Sequence, residues 1–146
     1  MSGVLHLVRR FLGSLSRSEP DAVDVEWAHD ALTDREWQCW SSMPVQDRRH
    51  SLLVARRFVA LRDGASRAEV AGALLHDVGK QRAGLGTFAR VLATLVGPRT
   101  ARFRAYHDHE AVGADMLRDA GSEVTTIDLV LGRGAAAAAL RAADDV

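Results

Sequence analysis

Apolar residues in this chain recur at three- and four-residue intervals, and nowhere do they alternate with polar ones over a useful length. The pattern predicts helices nearly throughout and no convincing strand, so the expected class is all-α, a compact bundle of about six to eight helices. Val4, Leu5, Val8, Phe11, Leu12 and Leu15 outline an N-terminal amphipathic helix. A polar linker over 16–24 follows, which sets 1–23 apart as an appendage and leaves 24–146 as the helical domain. Thr33-Asp34-Arg35-Glu36 reads as a capping box, and Trp37 and Trp40 share the face behind it as core anchors. Pro44 opens the next helix, which carries Leu53, Val54, Phe58 and Leu61 as an apolar stripe and stops at Asp63-Gly64. Ser66 caps its successor, the apolar run Val70-Ala71-Gly72-Ala73-Leu74-Leu75.

Further on, Phe88, Val91, Leu92 and Leu95 predict a short helix ended by Gly97-Pro98. Arg102 to Ala120 reads as a helical pair or as one longer helix, with Gly121 just past its end. Ser122 is placed to start the helix of Val124, Ile127, Leu129, Val130 and Leu131, and Gly132-Arg133-Gly134 breaks it. Ala135 to Ala143 should then be helical on propensity alone.

Composition narrows the function classes. A chain of 146 residues with 47% hydrophobic content can bury one real core. Lysine plus arginine equals aspartate plus glutamate at 19 each, which removes the surplus positive charge that sequence-independent nucleic-acid binding needs. No nucleic-acid partner is expected. The single cysteine, Cys39, cannot form an internal disulfide and fits a reducing, cytoplasmic compartment. Arg9 and Arg10 interrupt the N-terminal apolar residues, unlike a secretory leader or a bilayer span. Residues 1–16 are therefore read as packing on the domain rather than contacting a membrane or a partner protein.

The chemistry concentrates where the apolar run ends, in His76-Asp77-Val78-Gly79-Lys80. An imidazole beside a carboxylate pairs a nitrogen and an oxygen ligand suited to a divalent metal, with the glycine expected to let the backbone leave the helix. Lys80 is the only lysine in the chain. His50 lies in the preceding helix, across the short turn Asp63-Gly64-Ala65-Ser66. It is about 13 residues from that turn and His76 about 10, so at the helical rise the two histidines reach nearly equal heights. His6 and His29 have no such partner and read as surface residues.

These segments resemble the HD superfamily of metal-dependent phosphohydrolases. The resemblance rests on Arg49-His50-Ser51-Leu52-Leu53-Val54-Ala55, on Leu74 to Lys80, on His109-Glu110-Ala111-Val112-Gly113-Ala114 and on Leu140-Arg141-Ala142-Ala143-Asp144-Asp145, in that order. It implies an HD-type helical bundle in which His50, His76, Asp77 and Asp144 hold the metal, with Asp145 the nearest competitor for the last place. It also implies catalytic roles for Asp77, for Lys80 beside the phosphate charge and for His109, with His107 a weaker candidate. The metal would be Mn, Fe, Co, Ni, Zn or Mg, and its bound hydroxide would attack a nucleotide or another phosphate ester. No histidine follows His109, where binuclear members often carry a pair, so one ion is expected rather than two. No Gly-Tyr-Pro element follows, so the HD-GYP branch is not supported. Arg48, Arg49, Arg82 and Arg104 are candidate phosphate contacts, though each reads more readily as a solvated or salt-bridged arginine. Two rival readings are a degenerate HD domain that binds metal, nucleotide or a protein without turnover, and a purely structural helical adaptor.

Overall fold

Two reciprocal capping boxes set the register of the first half of the domain. The computed structural model describes residues 18–80 and 98–145, leaving aside the side chains of 98–108. At Thr33 the side chain accepts from the Glu36 amide while the Glu36 carboxylate accepts from the Thr33 amide, and Ser66 and Glu69 repeat the exchange. The described helices are α1 (Ala22–Ala31), α2 (Asp34–Ser41), α3 (Val45–Leu61), α4 (Arg67–Leu75), α5 (Pro98–Asp119), α6 (Val124–Val130) and α7 (Ala137–Asp144). Among the described residues there is no strand, so the chain is all-α. None of these helices is long and apolar enough to cross a membrane.

Helix α4 is the centre of the bundle. It is apolar all round because α1, α2, α3 and α6 cover it on every side, and Ala68 to Leu75 are buried apart from Glu69. Its small residues allow close approach: a Cβ added at Gly72 would sit 2.9 Å from Leu129 Cδ2 on α6. Helix α7 closes the bundle against α3, and α5 packs on α6.

One carboxylate lies wholly inside this packing. Glu36 is fully buried, yet its oxygens accept from the Thr33 amide, from Arg67 Nη1 at 3.3 Å and from Ser122 Oγ at 2.7 Å. These partners join the starts of α2, α4 and α6, and they make a buried charge tolerable.

Several local expectations are corrected. On α3 the buried face is Ser51, Leu52, Val54, Ala55 and Phe58, whereas Leu53 is 53% exposed and Leu61 57%. Leu53 sits two residues, about 200°, from Ser51 around the helix, and Leu61 is its last residue, beyond the core. Ser122 does not cap α6, because its hydroxyl is committed to Glu36 and Glu123 takes the N-cap position. Of the two alternatives for Arg102 to Ala120, one continuous helix is found, running from Pro98 to Asp119 and followed by Gly121 at φ +73°. Ala22, inside the stretch read as linker, already begins α1. The N-terminal amphipathic segment and the helix expected around Phe88 to Leu95 lie outside the described residues.

Candidate metal centre

Four segments deliver the polar residues of the site. His50 comes from the middle of α3, His76 is the C-cap of α4, His109 lies on α5 and Asp144 ends α7. After Leu75 the backbone tightens into successive i→i+3 turns, with Val78 N–H donating to Leu75 and Lys80 N–H to Asp77. Those turns let neighbouring residues His76 and Asp77 face one point.

Gly79 has a different role from the one its position suggested. Its φ is not positive, so it is no left-handed helix cap. A Cβ there would fall on the His109 carbonyl oxygen and lie 2.5 Å from the Gly113 nitrogen. The missing side chain lets the His-Asp turn lie directly on the α5 backbone, which brings His109 to Asp77. Gly113 completes the crossing from the other side.

The rings and carboxylates converge closely. His50 and His76 have ring centroids 6.0 Å apart. Asp144 Oδ1 is 3.0 Å from His50 Nε2 and 3.4 Å from His76 Nε2. Asp77 Oδ2 lies 3.3 Å from His76 Nε2 and 3.1 Å from Lys80 Nζ, and its Oδ1 lies 3.6 Å from His109 Nε2. His76, Asp77 and His109 are all buried, while Asp145 is exposed and caps α7 away from this cluster.

The donor set fits a divalent cation. His76 Nδ1–H donates to the Ala73 carbonyl at 2.7 Å, which turns Nε2 into the site. Nε2 is buried and has no hydrogen-bond partner among the described residues. One ligand atom each from His50, His76 and Asp144 lies within 4.8 Å of the others. Neighbouring ligands on one cation at about 2.1 Å stand roughly 3.0–3.4 Å apart, the spacing His50 and His76 show to Asp144. Asp77 lies beside this trio, not within it, its carboxylate shared among His76, His109 and Lys80.

The local field is negative, and without a cation it draws a proton onto His76. Burial opposes charge on the His76 ring, but Asp144 and Asp77 overcome it and raise its pKa to about 10. Burial likewise opposes charge on Asp77; His109 and His76 and the Lys80 charge hold it far below the carboxylate range all the same. Asp144 is lowered first by the His50 hydrogen bond and then by His76. Asp47, one turn before His50, is pushed up by burial and by Asp77, against the pull of Lys80.

Two cavities flank the His50–Asp144 contact. A small one of about 40 Å³ is lined by His76, Asp77, His109, Glu110, Arg141 and Asp144, over a floor that includes Leu129 and Leu140. A groove of about 740 Å³ is lined by Asp47, Arg49, His50 and Lys80 among others. Of the arginines considered from sequence, Arg48 is tied to Glu19, to the Met43 carbonyl and over the Trp40 ring, and does not face the site. Arg49 lines the groove and donates to the Ser18 carbonyl. Arg82, and the side chains of Arg104 and His107, fall outside the description. Arg141 was not singled out by pattern, although a residue three before Asp144 on a helix shares its face.

The family model for the HD domain matches residues 48–134, more than half of the chain, and the chain belongs to that family. HD domains are the mark of a superfamily of metal-dependent hydrolases. The matched span contains His50, His76, Asp77 and His109 and stops before Asp144, which only the packing of α7 on α3 brings in. Comparison with curated proteins returns no match, nor does comparison with solved structures.

Proposed function

We propose that the protein is a metal-dependent phosphohydrolase acting on a nucleotide or another phosphate ester at the centre formed by His50, His76, Asp77 and Asp144. The observation that carries this reading is the buried Nε2 of His76, without a hydrogen bond among the described residues and facing His50 and Asp144, residues drawn from distant parts of the chain. One divalent cation, of Mn, Fe, Co, Ni, Zn or Mg type, suits this mixed imidazole and carboxylate set. When bound, it supplies Lewis acidity toward a phosphoryl oxygen and lowers the pKa of water.

The chain's own residues do the positioning. The Ala73 carbonyl accepts from His76 Nδ1–H and fixes the ring, so that Nε2 faces the site and would offer its lone pair to a cation that displaces its proton. Asp144 aligns His50, and Asp77 is held between His109 and Lys80 as a carboxylate that would accept a hydrogen bond from a water at the site and so orient it. Lys80 stands at the groove, where its ammonium offsets charge on the transferring phosphoryl group. The groove is large enough for the rest of a nucleotide-sized ester, whereas the small cavity is not.

The test is metal analysis of the purified full-length protein and of His76→Ala, with a phosphate-ester panel assayed on both. Wild type should retain or take up one divalent metal ion per chain and turn over at least one ester, and His76→Ala should lose both. Metal uptake without turnover would replace hydrolysis by ligand binding as the function. Failure to bind any of the named metals would sink the reading, leaving a structural helical domain.

A further inference from the structure

We infer that Arg141 is a phosphoryl-contacting residue, gripping the oxygens of the transferring group from the side opposite Lys80. The inference rests on the phosphohydrolase reading and extends it to a specific anion contact.

Position comes first. Arg141 and Asp144 are three apart on α7, so that helix offers a guanidinium and a carboxylate to one place, and both line the small cavity. Arg141 is the one arginine or lysine among the described lining residues there; Lys80 lines the groove instead. Commitment separates it from the paired arginines, and its place in the cavity wall separates it from Arg35, Arg57 and Arg133. Arg48, Arg56, Arg62, Arg67 and Arg118 each hold a carboxylate, whereas the Arg141 guanidinium has no ion pair among the described residues.

Size and charge then indicate what it meets. About 40 Å³ is room for roughly three water-sized groups, enough for a phosphoryl group's oxygens and too little for a sugar or base. A divalent cation would be neutralised by Asp77 and Asp144, and Lys80 already pairs with Asp77 at 3.1 Å. Glu110 adds a further negative charge to the cavity wall. Lys80 is thus shared between Asp77 and an incoming phosphate dianion, and Arg141 adds a second cation as a planar two-pronged donor. Its exposure keeps the fork free to swing onto the oxygens.

Calorimetric titration of inorganic phosphate into metal-loaded full-length protein tests this, comparing wild type, Arg141→Gln and Arg141→Lys. Phosphate binding should weaken about tenfold in Arg141→Gln, the lower end of what a charge-assisted hydrogen bond contributes. Arg141→Lys should recover part of it. Metal content and melting temperature should stay at wild-type values in both, because the side chain is exposed and holds no ion pair among the described residues. The inference is overturned if wild type binds phosphate and Arg141→Gln matches it within about twofold, a result that leaves hydrolysis standing. It is overturned equally if metal-loaded wild type binds no phosphate. A wild-type protein that takes up no metal fails earlier, at the phosphohydrolase reading itself.

Discussion

Replacing Gly79 by alanine should cost more than its single methyl suggests. The added Cβ would fall on the His109 carbonyl oxygen, 2.5 Å from the Gly113 nitrogen and 3.0 Å from the Gly113 Cα. All three are backbone atoms of α5, so no side-chain rotation relieves the overlap. Either the His-Asp turn or α5 must move by about 1 Å in a close-packed interior. Overpacking among side chains costs about 1–3 kcal/mol, and a collision with backbone belongs at the top of that range. We expect a loss of about 3 kcal/mol, which lowers the melting temperature of a domain this size by about 10 °C. Gly113→Ala is the internal control. Its Cβ would meet Val78 Cγ1 at 3.3 Å, the Gly79 nitrogen at 3.4 Å and Val130 Cγ1 at 3.5 Å, contacts that a small side-chain adjustment absorbs. Alanine inside a helix also gains up to about 1 kcal/mol over glycine, so this variant should stay within about 1 kcal/mol of wild type. Urea unfolding followed by far-ultraviolet circular dichroism measures both. The reasoning fails if Gly79→Ala lies within about 1 kcal/mol of wild type, or if the two variants lose the same stability. Under conditions where Gly79→Ala is still folded it should bind metal more weakly, because the same displacement draws His109 away from Asp77.

Glu36→Ala should lose about 3 kcal/mol in urea unfolding, since the Thr33 amide, Arg67 and Ser122 all lose a buried acceptor; a loss below about 1 kcal/mol would contradict the clamp described here. Leu52→Ala should cost about 3 kcal/mol and Leu53→Gln less than about 0.5, as one side chain is buried and its neighbour exposed, and equal costs would reverse the assigned face of α3. Glu69 is held below the ordinary carboxylate range, chiefly by the Arg62 guanidinium and then by the Ser66 amide. Because its folded-state value is the depressed one, that stabilisation is present above the unfolded carboxylate pKa and disappears as pH falls through the folded value. The stability difference between wild type and Glu69→Gln should therefore be present at neutral pH and close in acid, and a difference that widens in acid would refute the assignment.

Local chemistry made much of this domain legible from residues alone. A Thr or Ser three residues before a glutamate starts a helix because the exchange of hydrogen bonds is short-range; the Thr33 capping box and the Ser66 cap are found where the sequence puts them, and Glu69 makes the second a full box. Glycine at positive φ ends segments for an equally local reason, as at Gly64, Gly121, Gly132 and Gly134. Similar distances from the hairpin turn put His50 and His76 at nearly equal heights, because helical rise is constant, and their rings lie 6.0 Å apart.

Other features depend on what packs against what. Leu53 and Leu52 are the same residue type on one helix, and only the placement of α4 and α7 decides which is buried. Gly79 looks like a helix stop, yet its reason lies on α5, far along the chain. Ser122 looks like a cap until Glu36 claims its hydroxyl. The choice of Asp144 over Asp145 to face the histidines, and the arrival of Arg141 beside it, follow from the rotation of α7 against α3, which its alanine-rich sequence barely encodes. The sequence alone determined an all-α chain and the His-Asp turn at its heart, because capping, propensity and helical rise act within a few residues. Tertiary packing decided the faces, the backbone crossing at Gly79 and the last carboxylate, because burial and steric exclusion depend on atoms that are neighbours only after folding.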